Sequence, residues 1–461
     1  MEAGEPMIIA NSSSDCESGF ALPSILMLIT ILALVSFSVL ALQYLQRQQA
    51  RMEVAAVKAE YAAQSGIAKI LSVAVQSEAE RQYTFDDGSE AQVKIQPWGM
   101  FALATSEGKY KKARSIRVAL AGARMTSEYR SALLFGNSSH QLVFTGTASI
   151  KGDVIAGEPG ITTGTMQDYI TPVRMPVNGN IRKEKSPTLP EIDESQRKIF
   201  FSFYENMLSG TRKSNDAQTS VVRPAIDAAG TFILESVSDS VDYVLLSGNI
   251  SLEGQLIRRL RPLYIIIDGN GTLRRNTSVQ GLIAMAASGE ITVERGAVMD
   301  DCVIISQKSI RLMQSATVSG QCISPSIIID SGAVMRYPSL MMSIPAKMSA
   351  GKGREIVLRG DAKVEGSIIL LSSVNAPSNE DIITINHNSI VTGFVRSDNL
   401  MTLDGNVSGM VHAKDFYFYR SPTKYFGWLR SGKIDRTELP PGYLLPPFLM
   451  SKPQYEVLEW L

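Results

Sequence analysis

The chain is poor in the residues on which most enzymes and metal proteins depend. Among 461 residues there are three cysteines and three histidines. His140, His387 and His412 stand apart, and none has the spacing to a cysteine or carboxylate that a metal site needs. No Cys-x-x-Cys pair, Gly-x-Ser-x-Gly elbow or phosphate-binding loop occurs. Net charge is zero, from 45 basic and 45 acidic side chains, so no overall basic field attracts nucleic acid. Local basic clusters at residues 109–114, 258–261 and 274–275 lack an aromatic stacking platform and read as solvated faces. Asp300-Asp301 would suit the paired carboxylates of a polysaccharide-cleaving fold. No other acid or base falls in register with it, so it reads as a solvated turn. These absences favour a binding or structural protein, without cofactor or metal, over an enzyme.

Charge is also missing from residues 19–42, and there the absence is informative. About 20 apolar residues carry a helix across a hydrocarbon core, and this run is long enough. Helix-favouring residues continue beyond it through Gln43, Leu45, Arg47 and Arg51, so the span is the first half of one long helix. A secretory signal peptide fits less well. The residues before the run carry Glu2, Glu5, Asp15 and Glu17 but no lysine or arginine, and no Ala-x-Ala follows the core.

Gly19-Phe20-Ala21-Leu22-Pro23, at the head of this helix, resembles the processing site of type IV prepilins and type II secretion pseudopilins. Residues 59–68 resemble the small-residue stretch of the PilX-like and GspK-like minor members; together the likeness covers residues 17 to about 72. The resemblance implies cleavage after Gly19 by a prepilin peptidase and methylation of Phe20 as the new first residue. It implies a single-pass protein of the bacterial inner membrane, its C-terminal domain periplasmic or displayed on a filament, with other pilin-like subunits as partners. Two features depart from the family. Ser24 replaces the usual glutamate at the fifth mature residue, as in tip-type subunits with no subunit ahead of them. The leader lacks basic residues, while Arg47, Arg51 and Lys58 follow the span, a bias that favours the opposite orientation.

Beyond the span, Met52, Ala56, Ala59, Ala63, Gly66 and Ile70 recur at spacings of four and three. Such a seam admits a close neighbour, either another subunit's helix or the chain's own β domain. From Tyr83 to Gly122 the period changes to alternation, as in residues 92–95 and 115–120, predicting a small antiparallel sheet against the helix.

An irregular repeat dominates the remainder: aliphatic, one residue, glycine, one residue, aliphatic. It appears as Ile150-x-Gly152-x-Val154, Leu252-x-Gly254-x-Leu256 and Val364-x-Gly366-x-Ile368, with shorter copies at Gly281, Gly320, Gly393 and Gly409. Val279, Val298 and Val318 lie 19 and 20 residues apart. Short strands bent at glycine stack into a continuous core as coils of a parallel β-helix, which is preferred over a β-sandwich. The run resembles bactofilin-like polymer-forming repeats. Cys302 and Cys322 each stand four residues beyond a repeat valine, and adjacent coils lie about 4.8 Å apart, within disulfide reach. The pair is expected to stack, either bonded or as free buried thiols.

The expected fold is therefore a long N-terminal transmembrane α-helix plus a mostly β remainder, with a small antiparallel sheet followed by a parallel β-helix carrying a helical insertion. Its parts are a leader (1–19), a transmembrane and extended helix (20–80), the small sheet (81–125) and the start of the β-helix (126–157). An insertion with one helix after Pro190 (158–240), the main β-helix (241–415) and an aromatic, proline-rich cap or tail (416–461) complete it. The expected function is that of a non-enzymatic minor pilin or pseudopilin. The alternatives are a membrane-anchored polymerising scaffold and a surface carbohydrate-binding or carbohydrate-cleaving β-helix.

Overall fold

A computed structural model describes residues 21–73, 79–166, 169, 172, 174–209, 220–224, 226, 229–344, 353–371 and 381–461. The first element, α1 (Ala21–Ser72), has 52 residues, or about 78 Å of helix. Pro23 sits in its first turn and Gly66 near its end, so nothing between them interrupts the hydrogen-bond ladder. Within the apolar run, the hydroxyls of Thr30 and Ser38 donate to the carbonyls of Leu26 and Leu34.

Four antiparallel strands follow in sequence order: β1 (Ala79–Thr84), β2 (Glu90–Trp98), β3 (Phe101–Tyr110) and β4 (Ala113–Arg124). Their alternating buried positions, Ala91, Val93 and Ile95 on β2 and Ala102 and Ala104 on β3, enclose a core with Ile67, Ile70 and Leu71 of α1. Helix and sheet approach closely because Gly108 has no side chain. A Cβ there would lie 2.0 Å from the carbonyl oxygen of Ala59 and 2.6 Å from the amide of Ala63.

The rest is a three-faced parallel β-helix. One strand, Gln255–Asp268, supplies two faces, with a register break between Arg258 and Leu263, and Gly271–Leu273 begins the next turn on the remaining face. Inward residues stack as like on like: Ile265, Met285, Ile304, Cys322, Met341, Ile368, Val395 and Val411 are successive rungs. The repeat glycines mark one corner of this prism. Gly366, Gly393 and Gly409 are in direct register with φ of 154°, 147° and 157°. A Cβ at Gly409 would lie 1.9 Å from the carbonyl oxygen of Gly393, so coils at this corner touch backbone to backbone.

Spatial order in the column departs from chain order. Val411 pairs with Leu133, Leu133 with Val154, and Val154 with Ile181. The coils formed by residues 133–184 thus stack beyond the coil at 406–418, not before the one at 241. Residues 158–184, expected to leave the β-helix as an insertion, carry strands Ile161–Thr163, Val177–Asn178 and Ile181–Glu184 of that column. The chain then returns through α2 (Glu194–Ser209), whose start is capped by the Asp193 carboxylate accepting from the amides of Ser195 and Gln196. The C-terminal segment also does more than cap. Trp428–Leu429 and Lys433–Asp435 pair with Leu142–Phe144 and Ser149–Lys151, and Tyr455–Trp460 adds to β4 of the small sheet.

The β-helix face that contains Ser278–Ala287 beyond its corner is apolar on both sides. Its outward residues, such as Ala284, Ile305, Ile323 and Met342, are buried with Trp98, Phe101 and Leu103 of the sheet and with Phe200 and Tyr204 of α2. Near-continuous hydrophobic runs are the signature of a parallel face covered on both sides.

Candidate functional site

Two regions of α1 differ in surroundings. No residue from 22 to 58 is buried, and among the described residues one helix, α1, is long and apolar enough to cross a membrane. From Ala59 onward the inner face is covered by the chain's own sheet. The small-residue seam divides between the two. Ala59, Ala63, Gly66 and Ile70 pack on the sheet, whereas Met52 and Ala56 are exposed. Val54, Val57 and Tyr61, on the opposite side of the helix, are also exposed. Gly19 and Phe20 lie outside the described residues.

Polar contacts fasten the junction. Lys58 Nζ lies 3.2 Å from the Asp87 carboxylate and 4.5 Å from the ring centroid of Tyr110. The hydroxyl and amide of Ser89, then Lys58, hold the Asp87 carboxyl down at about 2. Glu60 pairs with Arg117 of β4. Sheet and β-helix are joined by Gln321, which is only 2% exposed. Its Oε1 accepts from the Met100 amide at 2.6 Å, and its Nε2 donates to the Trp98 carbonyl at 2.8 Å. One side chain thereby satisfies both backbone groups of the tight turn at Gly99. A glutamine directly after the repeat glycine Gly320, where other copies of the repeat carry no amide-bearing side chain before the next apolar residue except at Gly254, was the available signal for this clamp.

The cysteines occupy neighbouring coils but different rungs. Cys302 is level with Gly320, and Cys322 is level with Ile304. Two offsets add to this: Val298 faces Thr317 rather than Val318, and a register break between Met299 and Cys302 shifts the pairing by one more residue. Both thiols are free and buried. Burial pushes Cys322 up to about 12 and Cys302 well above its ordinary value, so both are protonated, weakly reactive groups at neutral pH.

Asp300 and Asp301 replace the repeat glycine at the corner, and Asp301 takes the left-handed conformation with φ of 58°. They do not form an isolated solvated turn. Glu459, from the last strand, hydrogen-bonds Asp301, and burial followed by the charges of Asp301 and Asp300 pushes its carboxyl up to about 7. Burial also raises Asp300, against the opposing charge of Arg336. Glu459 escaped the sequence reading because 159 positions of chain separate it from Asp300. Among the described residues, no group of three His, Cys, Asp or Glu side chains is placed to hold a metal ion.

The histidines play separate parts. His140 Nδ1 lies 2.6 Å from Asp415 Oδ2, and Asn137 Nδ2 donates to the same oxygen at 2.8 Å. The Gly427 amide donates to the other Asp415 oxygen, so the cluster ties the base of the C-terminal segment to the turn at 137–140. His412 is fully buried, stacked on Tyr129 and edge-on to Phe394, with no hydrogen-bond partner on either ring nitrogen. Burial, with the Arg396 guanidinium nearby, holds it down at about 3, which keeps it neutral. Of the basic clusters, Lys109 and Arg114 pair with Glu107, and Arg274 pairs with Glu294. Arg258 is buried rather than solvated and donates to the carbonyls of Asp239 and Val241.

No family model matches the chain, and no curated protein matches it. Among solved structures, the competence-associated pilin ComZ from Thermus thermophilus matches over 88% of this chain and 97% of its own. Identity is 13% and the TM-score is 0.25, a likeness too slight to bear on function.

Proposed function

We propose that the chain is a minor pilin or pseudopilin-like subunit, anchored in the bacterial inner membrane by α1 and presenting the β-helix as its head. One observation carries this reading: a single helix with no buried residue from 22 to 57 that is clasped by its own sheet from Lys58 and Ala59 onward. A bare apolar helix rigidly continuous with a folded head suits insertion into a filament of similar helices, with the head outside. The prepilin-like order Gly19-Phe20 before that helix supports processing by a prepilin peptidase, and Ser24 supports a tip position. The role is non-enzymatic on this reading: the helix inserts, and the head caps, primes or binds.

N-terminal sequencing of the membrane-associated protein tests the proposal. A mature chain beginning at methylated Phe20 is expected. A chain that keeps Met1 in cells with an active prepilin peptidase rules the proposal out.

A further inference from the structure

The strand Asn406–Arg420 outruns the β-helix. It follows the preceding coil as far as Phe416 opposite Met401, then continues into a two-stranded ribbon with Thr423–Phe426. Residues 416–428 hold seven aromatic side chains and no acid, in a chain that is 7% aromatic overall. Cross-strand packing explains part of this. Tyr417 faces Phe426 with centroids 5.5 Å apart, and Phe418 faces Tyr425 at 6.1 Å. Such cross-strand aromatic pairs help hold a lone ribbon together.

Pairing does not explain the exposure or the charge. Tyr419 is opposite Lys424, not an aromatic, and remains 52% exposed; Phe426 is 39% exposed. Lys424, opposite Tyr419, is exposed, and Arg420 is half-buried at the tip. The acids nearest the ribbon, Asp404 and Asp415, are largely buried and engaged with Arg430 and His140, which leaves exposed rings and Lys424 to complement an anionic partner. Ring geometry narrows the class. Single strands are tracked by a succession of ring faces on which successive bases stack. Here, among the described residues, Tyr419 makes no contact with another ring, and Phe426 is tilted by 52° to Tyr417 and by 31° to His140, so the two exposed rings form no continuous stack. A pyranose needs only one ring face for its C–H surface, and a carboxylate on the sugar reaches a neighbouring lysine.

We propose that the ribbon at residues 416–428 binds an acidic polysaccharide, with Tyr419 and Phe426 stacking on sugar rings and Lys424 pairing with uronate carboxylates. This surface is separate from the bare helix, so the anchoring role stands or falls independently.

The test is affinity electrophoresis of the full chain in detergent through polygalacturonate, with dextran as the neutral polymer and a thymidine oligonucleotide as the competing anion. Retardation by polygalacturonate and not by dextran is expected, weakening about tenfold in Tyr419→Ala and in Lys424→Glu and retained in Tyr419→Phe. Circular dichroism and Phe20 processing are expected to be unchanged in these variants. No retardation of the intact chain, equal retardation of Tyr419→Ala, or tighter binding of the oligonucleotide than of polygalacturonate would each overturn the proposal.

Discussion

The two stretches of α1, residues 22–57 and 58–72, share one backbone and one helical period, yet only the second has residues buried by the chain itself. In the second, side chains shrink to alanine and glycine where the sheet comes closest, and Gly108 of β3 shrinks to match. In the first, from residue 22 to residue 45, leucine, isoleucine, valine and phenylalanine face outward on every side, which suits a helix whose solvent is not water. The lesson is that small residues mark where this helix is gripped, and large apolar ones mark where its environment must come from outside. The largest test of that contrast is Gly108→Val. Its branched side chain would meet the backbone of Ala59 and Ala63, which no rotamer change relieves. The cost is expected to exceed the roughly 3 kcal/mol of ordinary overpacking. Amide exchange across residues 59–72 should rise to the rate of an unprotected helix. Leu32→Arg probes the other side. A charge at mid-span costs insertion about 3 kcal/mol. Extraction by carbonate should therefore increase, while thermal unfolding of the head stays within about 0.5 kcal/mol of the parent.

A second contrast lies inside the head, between junctions made by apolar contact and the one made by Gln321. Replacing Gln321 with leucine preserves volume but strands the Trp98 carbonyl and the Met100 amide. The loss expected is about 2 kcal/mol, read by chemical denaturation, with exchange at the Gly99 turn as the local report. Unchanged stability would mean that the apolar face alone holds sheet to β-helix.

Much of this architecture was legible because its causes are local. An uncharged apolar run makes a helix, alternation makes the sheet, and the Val364-x-Gly366-x-Ile368 pattern places two inward aliphatics around a corner where a Cβ would strike the coil beneath. What was not legible depends on distant partners. Leu133, the start of one stretch of coils, sits on Val411, near the end of the other. Nothing in either strand specifies that order, since every rung offers the same aliphatic ladder. The coils at 154–184 lacked the repeat because their strands are short, polar and interrupted by proline. The cysteine alignment failed by two residues: Val298 already faces Thr317 rather than Val318, and the corner at Asp300-Asp301, which stands where other coils have a glycine, shifts the register by one more. Gln321 and Glu459 were missed for a common reason, because each acts on a segment far away in sequence.

Glu459 gives the smallest and most specific prediction. The last strand closes the small sheet on β4, and a bulge between Val457 and Glu459 lies where Glu459 reaches the Asp300-Asp301 corner. Its folded carboxyl, near 7, lies above the ordinary 4.5, so between those values the folded chain holds a proton that the unfolded chain has released. Stability from this group is therefore fully present below about 4.5 and declines as pH rises toward about 7, with no further loss above it. Burial of Asp300 adds a loss of the same sign at lower pH, moderated by Arg336. Exchange of the amides at residues 455–460 should accordingly be faster at pH 8 than at pH 6 once corrected for the intrinsic rate. Glu459→Gln, which cannot ionise, should flatten that difference and leave exchange at the helix clasp unchanged. If the glutamine variant keeps the full pH dependence, the titration that loosens the strand belongs to another group of the acidic corner, Asp300 first, and not to Glu459.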